Sequence, residues 1–467
     1  MTIRFGTDGW RAVIADEFTF EAVRRIARAM SAVLVRDADR GRPAVVVGYD
    51  RRFGSDEFAR AATDEFIHQG VDVLYARSPI PTPMLSYTVN ESKSVAGMMI
   101  TASHNPPMFN GVKIKSAHGG AAPTSILRAI EAEIAGSEQT QTALEYGEVT
   151  EIDPFSAYLD RIGRHVDLAR IRDAGLTIVV DAMYGCAAGL LPRLIGEAST
   201  QIIEINTVHN PLFPGIAGPE PVERNLTRLR KVVGDGGANL GIGFDGDGDR
   251  IGVVNGEGEY ISAQTVFALL TRYVLEYRSR GGAIVKSVTG TAMIDALGEQ
   301  FSVPVIETAT GFTHISQAMI DEHAAIGGEE SGGFAFGFHL PDRDGILASL
   351  LLIDFILQSG MSLTELIDDL EQAIGTWRFR RVDLPLARDE RDAFVDRLSG
   401  VQWPRTMSDL AVTNVVEVDG TRVEFADGSW LLVRISGTEP LLRIYAESHD
   451  VQLVDSLLME ARLLLGA

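Results

Sequence analysis

Three carboxylates alternate with two glycines in Asp245-Gly-Asp247-Gly-Asp249-Arg250, directly after the apolar run Ala238-Asn-Leu-Gly-Ile-Gly-Phe244. Glycine permits tight backbone curvature, and a curved loop can turn several carboxylate oxygens towards one point. Oxygen-only ligation suits Mg²⁺ or Mn²⁺ better than Zn²⁺, which favours nitrogen and sulfur. The plain alternative is an acidic surface turn, because Asp-Gly pairs are ordinary turn chemistry. An EF-hand calcium loop fails at two positions: Arg250 stands where its glycine is needed and Gly256 where its closing glutamate is needed. Gly241-x-Gly243-x-x-Gly246 matches a dinucleotide fingerprint, but it runs into acidic residues where a helix should turn its positive end to phosphate.

Three further stations carry reactive groups. Thr101-Ala-Ser103-His104-Asn105-Pro106-Pro107 follows the strand-like run Val95 to Ile100, so a serine sits on a loop at a strand end with a histidine beside it. Ser103 can act as a nucleophile if a base or metal activates it, although the Gly-x-Ser-x-Gly elbow of acyl-transfer enzymes is absent. A turn shaped by Ser103 and Asn105 ahead of two prolines is the competing reading. Lys113 lies further along the same loop. Gly327-Gly-Glu329-Glu330-Ser331-Gly-Gly333 sets two acids and a hydroxyl among glycines, a combination that could accept from and donate to adjacent sugar hydroxyls, or could be a charged loop. Arg434-Ile-Ser436-Gly437-Thr438-Glu-Pro440, with Arg443 shortly after, offers the parts of a phosphate cradle: a forked guanidinium, hydroxyls and converging backbone N–H groups. An ordinary turn with a surface arginine is the alternative. No Walker motif competes, since Lys286-Ser287 follows Val285 rather than glycine.

These loops need a frame, and the frame is legible as alternation of Val- and Ile-rich runs with helical spacing. Ala44 to Gly48 precedes Ser55 to Gln69, Leu176 to Asp181 precedes Gly189 to Ile195, and Ala283 to Val288 precedes Met293 to Phe301. That order predicts α/β layers. A first helix is expected from about Thr19 to Arg36, with Ala22, Ile26, Ala29, Met30 and Val33 on one face. The tail reads as a small α+β module: strands over Val412 to Val418, Thr421 to Phe425 and Trp430 to Ile435, turns at Asp419-Gly420 and Asp427-Gly428, and a helix from Val451 to Leu465. Breaks in the pattern fall near Gly147 to Pro154, Asn255 to Tyr260 and Gly375 to Pro385.

At 467 residues the chain is too long for one core, and three or four domains are expected. The balance of 42 basic against 64 acidic side chains, net −22, argues against nucleic acid as a partner. An anionic small molecule would need a local basic pocket. Met1 to Asp8 lacks a signal-peptide core, and the apolar stretch Leu347 to Leu357 is broken by Asp354, so no membrane span and a cytoplasmic location are expected. Cys186 is the sole cysteine, which leaves no disulfide framework or thiolate cluster and suggests a core residue. Asn225-Leu-Thr227 matches a glycosylation acceptor that has no meaning without secretion.

Nucleophile, cation loop, diol gripper and phosphate cradle together describe phosphoryl transfer on a sugar phosphate. The four stretches Thr101 to Pro106, Asp245 to Arg250, Gly328 to Gly332 and Arg434 to Pro440 resemble, in order, the signature loops of the α-D-phosphohexomutases, of the phosphoglucomutase/phosphomannomutase type. Phe5-Gly-Thr-Asp-Gly-Trp-Arg11 resembles that family's N-terminal segment. The resemblance implies three α/β domains with mixed sheets plus a C-terminal α+β domain around a central active-site cleft. It divides the chain into residues 1–150 with a phosphoserine loop, 151–256 with a metal loop, 257–378 with a sugar loop and 379–467 with a phosphate loop.

By the same resemblance Ser103 is the phosphoserine and, with Asp245, Asp247 and Asp249, holds Mg²⁺. Ser103, His104, Lys113 and Arg250 form the catalytic set, with His104 or Lys113 handling the hydroxyl proton. Glu329, Ser331, Thr310 and Gly311 bind the sugar. Arg434, Ser436, Gly437, Thr438, Arg443, Arg11, Lys286 and Arg343 bind phosphate. The implied reaction interconverts hexose 1-phosphate and hexose 6-phosphate through a hexose 1,6-bisphosphate that reorients in the cleft. Gly333 stands where some members carry a histidine, and Arg343 where others carry a lysine. The Glu-Glu-Ser order resembles glucose or glucose/mannose enzymes more than glucosamine ones. Phosphoglucosamine mutase and phosphopentomutase activity remain alternatives within the family. A non-catalytic sugar-phosphate-binding protein and a metal-dependent phosphatase are alternatives outside it.

Overall fold

The computed structural model describes residues 3–35, 42–136, 145–196, 198–278, 281–386, 391–435 and 441–466. Four sheets follow one another along the chain. The first has the order Trp10–Val13, Phe109–Ser116, Ala96–Ile100, Ala44–Tyr49, Asp72–Ala76, Val149–Ile152. Its last four strands run parallel, while Phe109–Ser116 is antiparallel to both of its neighbours and makes the sheet mixed. Parallel strands need crossovers, and helices Ser55–His68 and Thr82–Ser92 supply them. Helix Phe20–Val35 buries Ala22, Ile26, Ala29 and Met30, the face expected from their spacing.

The second sheet is ordered Tyr260–Ile261, Ile251–Asn255, Leu240–Phe244, Thr177–Asp181, Gln201–Ile205, with Leu240–Phe244 and Ile251–Asn255 joined antiparallel across the acidic loop. The third is ordered Val305–Thr308, Ile284–Ser287, Ile326–Gly328, Phe334–Phe336, with the glutamate loop turning between its last two strands. Each glutamate or aspartate loop therefore leaves the C-terminal end of a parallel strand, where open α/β sheets present their ligand sites.

The fourth sheet is antiparallel throughout, from Arg378–Pro385 across Leu441–Ser448, Trp430–Ile435, Thr421–Phe425 and Leu410–Glu417 to Thr406–Met407, and is covered by helix Val451–Leu465. Arg378–Pro385 was expected as a break. Its alternating exposed charges, including Arg378, Arg380 and Asp383, reflect an edge strand open to water on one side rather than a linker.

One continuous apolar core joins elements of the first three sheets, from Met84 and Leu85 through Ile178 and Ile242 to Phe267 and Ile326. Helix Gly345–Ser359, buried from Gly345 to Phe355 and largely apolar apart from Asp354, which pairs with Arg278, runs through this core and is capped by Asp344, whose carboxylate accepts from the Leu347 N–H. The fourth sheet has its own core and meets the third through a small apolar cluster that includes Val288, Ala292, Trp430, Leu432 and Tyr445, and through polar contacts such as Arg422 with Glu307. Among the described residues no single helix is long and apolar enough to cross a membrane.

Candidate active site

The serine loop is built on two neighbouring parallel strands. Asp50, at the end of Ala44–Tyr49, accepts from Thr101 Oγ1 at 2.6 Å, Ser55 Oγ at 2.7 Å and the Arg52 N–H at 2.9 Å. The Arg52 guanidinium, buried beneath the loop, donates to the carbonyls of Ser103 (2.7 Å), Asn105 (2.6 Å), Pro106 (3.0 Å) and Phe109 (3.1 Å). The loop backbone is thereby tied to one guanidinium and, through Thr101, to one carboxylate. Together they hold Ser103 at φ +50°, a left-handed conformation that a residue with a Cβ adopts only under constraint.

Held this way, Ser103 Oγ donates to Asp245 Oδ2 at 2.7 Å, and its other neighbour, His104 Nδ1, lies 3.4 Å away. Asp245, Asp247 and Asp249 are all buried, and one oxygen from each lies within 4.8 Å of the others. Close approach explains the glycines between them: a Cβ on Gly246 would stand 2.5 Å from the Ser103 carbonyl, and Gly248 has φ +70°.

Cations and a helix end compensate these carboxylates. Lys113 Nζ reaches Asp249 Oδ2 at 2.7 Å, Asp247 Oδ2 at 2.8 Å and Asp8 Oδ2 at 3.2 Å. It was expected on the serine loop, but it stands on strand Phe109–Ser116, opposite Met99, which brings it back alongside the loop it follows. Helix Thr82–Ser92 begins against the same triad, with the Thr82 N–H donating to the Asp247 carbonyl at 2.8 Å and its hydroxyl to the Asp247 carboxylate. Burial pushes the Asp245 carboxyl well up, and the neighbouring charges of Asp247 and Asp249 add to this. Burial acts in the same sense on Asp247, but the Lys113 ammonium and hydrogen bonds outweigh it and hold that carboxyl low. Burial opposes the charge on Lys113, yet Asp247, Asp249 and Asp8 raise its ammonium above the ordinary range. Burial pushes the His104 imidazole well down, assisted by Arg250 and Arg11, so the ring is neutral.

The N-terminal segment and the third sheet complete the cluster. Arg11 donates to Asn105 Oδ1 at 2.7 Å and pairs with Asp8 at 2.8 Å. Arg250 donates its N–H to Asp245 Oδ1 at 3.0 Å. Arg343 pairs with Asp8 and Asp249. Glu329 accepts from the Gly311 N–H at 2.9 Å and from Ser331 Oγ at 3.3 Å, and burial raises its carboxyl despite Arg343 nearby. Thr310 instead donates to Asp419 of the fourth sheet, whose carboxylate also pairs with Arg434 at 3.0 Å. Arg443 stands opposite Arg434 in the strand pair, near Asp383. Lys286 belongs to a separate group with Asp295, the Thr291 carbonyl and Glu307. Ser436, Gly437 and Thr438 lie outside the described residues.

Three participants were not singled out from sequence. Asp8 was quoted only as part of the N-terminal segment, although its place between Thr7 and Gly9 near Arg11 was a usable signal. Arg52 and Thr82 gave none, because their roles depend on which strands lie side by side.

A buried hydroxyl thus lies against an oxygen-only triad, ringed by basic side chains at the ends of strands. The domain models described as phosphoglucomutase/phosphomannomutase, alpha/beta/alpha domains I, II and III, match residues 2–141, 156–258 and 262–374, and the model of the C-terminal domain matches residues 390–464. The phosphoglucomutase/phosphomannomutase of Thermococcus kodakarensis is 31% identical over 448 residues, covering 96% of this chain and 94% of that one. A probable phosphoglucosamine mutase of Methanopyrus kandleri is 33% identical over 448 residues, again with 96% and 94% covered. The crystal structure of a candidate phosphomannomutase from Thermus thermophilus superimposes with a TM-score of 0.86 at 34% identity, over 100% of both chains. The chain belongs to the phosphoglucomutase/phosphomannomutase family of the α-D-phosphohexomutase superfamily and is an enzyme of that isomerase family.

Proposed function

We propose that this enzyme interconverts the 1- and 6-phosphates of a hexose, glucose and/or mannose, with Ser103 carrying the phosphoryl group and a hexose 1,6-bisphosphate as intermediate. The observation that carries the reading is the 2.7 Å bond from Ser103 Oγ to Asp245 within the buried triad. Asp245, Asp247 and Asp249 suit Mg²⁺: all donors are oxygens, and the buried Oδ1 atoms of Asp247 and Asp249 have no hydrogen-bond partner among the described residues. When bound, the cation neutralises charge on the transferring phosphoryl group.

Phosphorylated Ser103 donates to the free sugar hydroxyl: its Oγ–P bond breaks, the sugar O–P bond forms and the hydroxyl proton leaves. Neutral His104 can accept that proton, whereas Lys113 holds its own and balances the carboxylates. The bisphosphate then turns over and returns its other phosphate to Ser103. Glu329 and Ser331, with Gly311 positioning the carboxylate, grip ring hydroxyls in both orientations. Arg434, Arg443 and the residues from Ser436 to Thr438 hold the phosphate that is not reacting, and Arg11 lines the path. Positioning and electrostatics supply most of the rate in such transfers.

Sugar phosphates as ligands fit the wider fold. The N-acetylphosphoglucosamine mutase of Aspergillus fumigatus, 13% identical with a TM-score of 0.59, was crystallised with GlcNAc-6P and magnesium. Glucosamine is the second reading, because relatives at 32% and 33% identity are named for it. The Glu329-Glu330-Ser331 order favours glucose or mannose. A cytoplasmic location accords with such a substrate.

The test is phosphorus NMR of the purified protein with Mg²⁺, a trace of glucose 1,6-bisphosphate and, in parallel, the 1-phosphates of glucose, mannose, glucosamine and ribose. Growth of a 6-phosphate signal from glucose or mannose is expected. Conversion of glucosamine alone would replace the sugar assignment, and release of inorganic phosphate alone would replace the reaction.

A further inference from the structure

Gly333 closes the sugar loop, and Arg343 lies across it. A Cβ on Gly333 would fall 2.1 Å from Arg343 Cδ, 2.8 Å from Cγ and 3.4 Å from Nε. The backbone of Gly333 has no positive φ, so its conformation does not require glycine; the space does. Nor can the arginine stem swing aside. Its guanidinium donates to Asp8 Oδ1 at 2.7 Å and Asp249 Oδ2 at 2.8 Å, stands 3.7 Å from Glu329 Oε2 and lies 5.0 Å over the Phe312 ring. The side chain is 1% exposed.

We propose that the missing side chain of Gly333 is the passage that admits Arg343, and that Arg343 is a positioning residue tying the sugar-gripping Glu329 to the metal-loop Asp249 and to Asp8. Each of these three carboxylates comes from a different part of the chain: the third sheet, the second sheet and the N-terminal segment. Brought together without a cation they would repel one another in a buried site. Arg343 Nη2 donates to Asp8 and Asp249 while Nη1 faces Glu329 at 3.7 Å, so one planar guanidinium spans all three, alongside the Lys113 ammonium that also meets Asp8 and Asp249. Gly333 and Arg343 thus act as one unit. The inference rests on the sugar-phosphate reading for the role of Glu329, but not for the steric pairing.

The experiment is a double-mutant cycle with Gly333→Ala, Arg343→Ala and the pair combined, read by steady-state kinetics on the sugar 1-phosphate that the native enzyme converts and by chemical denaturation. Gly333→Ala and Arg343→Ala should each lower kcat/KM by about tenfold or more, with KM for the sugar raised and the Mg²⁺ concentration needed for half-maximal rate shifted, because Arg343 faces Glu329 and donates to Asp249. The double variant should be no worse than Arg343→Ala, since no stem remains for the new methyl to meet. If Gly333→Ala fails to fold, the double variant should fold. Losses that multiply, or a double variant that stays unfolded when Arg343→Ala folds, would overturn the pairing. A loss confined to stability, with KM and the Mg²⁺ dependence of the folded variants unchanged, would overturn the positioning role. Should the native enzyme convert no sugar phosphate, the functional reading fails while the same cycle in denaturation midpoints still decides the pairing.

Discussion

Replacing Arg52 with methionine keeps a stem of similar length and deletes the guanidinium. Four carbonyls of the serine loop lose their donor, at 2.6 to 3.1 Å in the native protein, and Asp50 loses the cation 3.3 Å away. Removing one partner of a buried ion pair costs about 3–5 kcal/mol, because the remaining charge is uncompensated. Orphaned carbonyls each add about 1–3 kcal/mol unless water reaches them. The contributions are not additive, so about 3–5 kcal/mol is the expected loss. Activity should suffer separately, because Ser103 would relax from its left-handed conformation and move its hydroxyl from Asp245. A misplacement of roughly 1 Å can cost about 10²-fold in rate. Arg52→Lys, which restores charge without the fork, should recover part of the stability but little of the rate. Denaturant titration and initial-rate assays on the two variants are the measurements. A methionine variant within about 0.5 kcal/mol of native stability, or one with full kcat, would refute the assignment of loop geometry to Arg52.

Lys113→Met should bind Mg²⁺ more tightly in calorimetric titration while destabilising the metal-free protein, since the ammonium shares Asp247 Oδ2 and Asp249 Oδ2 with any cation held there; weaker binding would contradict this. Asp247→Asn should lower metal affinity and rate together, and an unchanged metal titration would make the loop structural. The His165 ring, half-buried beside His339, is depressed mainly by burial to about 4 from an ordinary 6.5. The unfolded chain therefore binds more protons between these values, and stability should rise with pH from about 4 to 6.5. The slope from this residue is at most about 1.4 kcal/mol per pH unit, reduced by its partial exposure, and a His165→Phe variant whose pH slope matches the native one would remove His165 from that account.

Periodicity and turn chemistry carried the local structure. Thr421–Phe425, Trp430–Ile435, Met293–Phe301 and Val451–Leu465 have the bounds read from sequence, and the last is capped by the Asp450 carboxylate. Val412 to Val418 was expected as a strand that in fact spans Leu410–Glu417, with an irregularity in pairing between Val412 and Asn414 that alternation cannot show. Strand order was illegible, because it is a non-local property, and everything that depends on it was illegible too. Lys113 was read as a loop residue, but its strand folds back beside Ala96–Ile100, and Arg52 gave no signal because its role depends on the serine loop lying over it. Asp245, Asp247, Asp249 and Ser103 could be singled out because they stand in dense local patterns of polar groups, and the structure brings their side chains together. Arg343 was visible as a basic residue, but not its partners, which come from residues 8 and 249.

Transfer through Ser103 can be tested directly by incubating the protein with glucose 1,6-bisphosphate labelled in its phosphates and mapping the label by peptide mass spectrometry, before and after adding excess unlabelled hexose 1-phosphate. The account predicts label on the peptide containing Ser103, its discharge into the sugar pool on addition of substrate, and neither event in Ser103→Ala. Turnover of hexose phosphate with no label on Ser103, or undiminished turnover by Ser103→Ala, would contradict it.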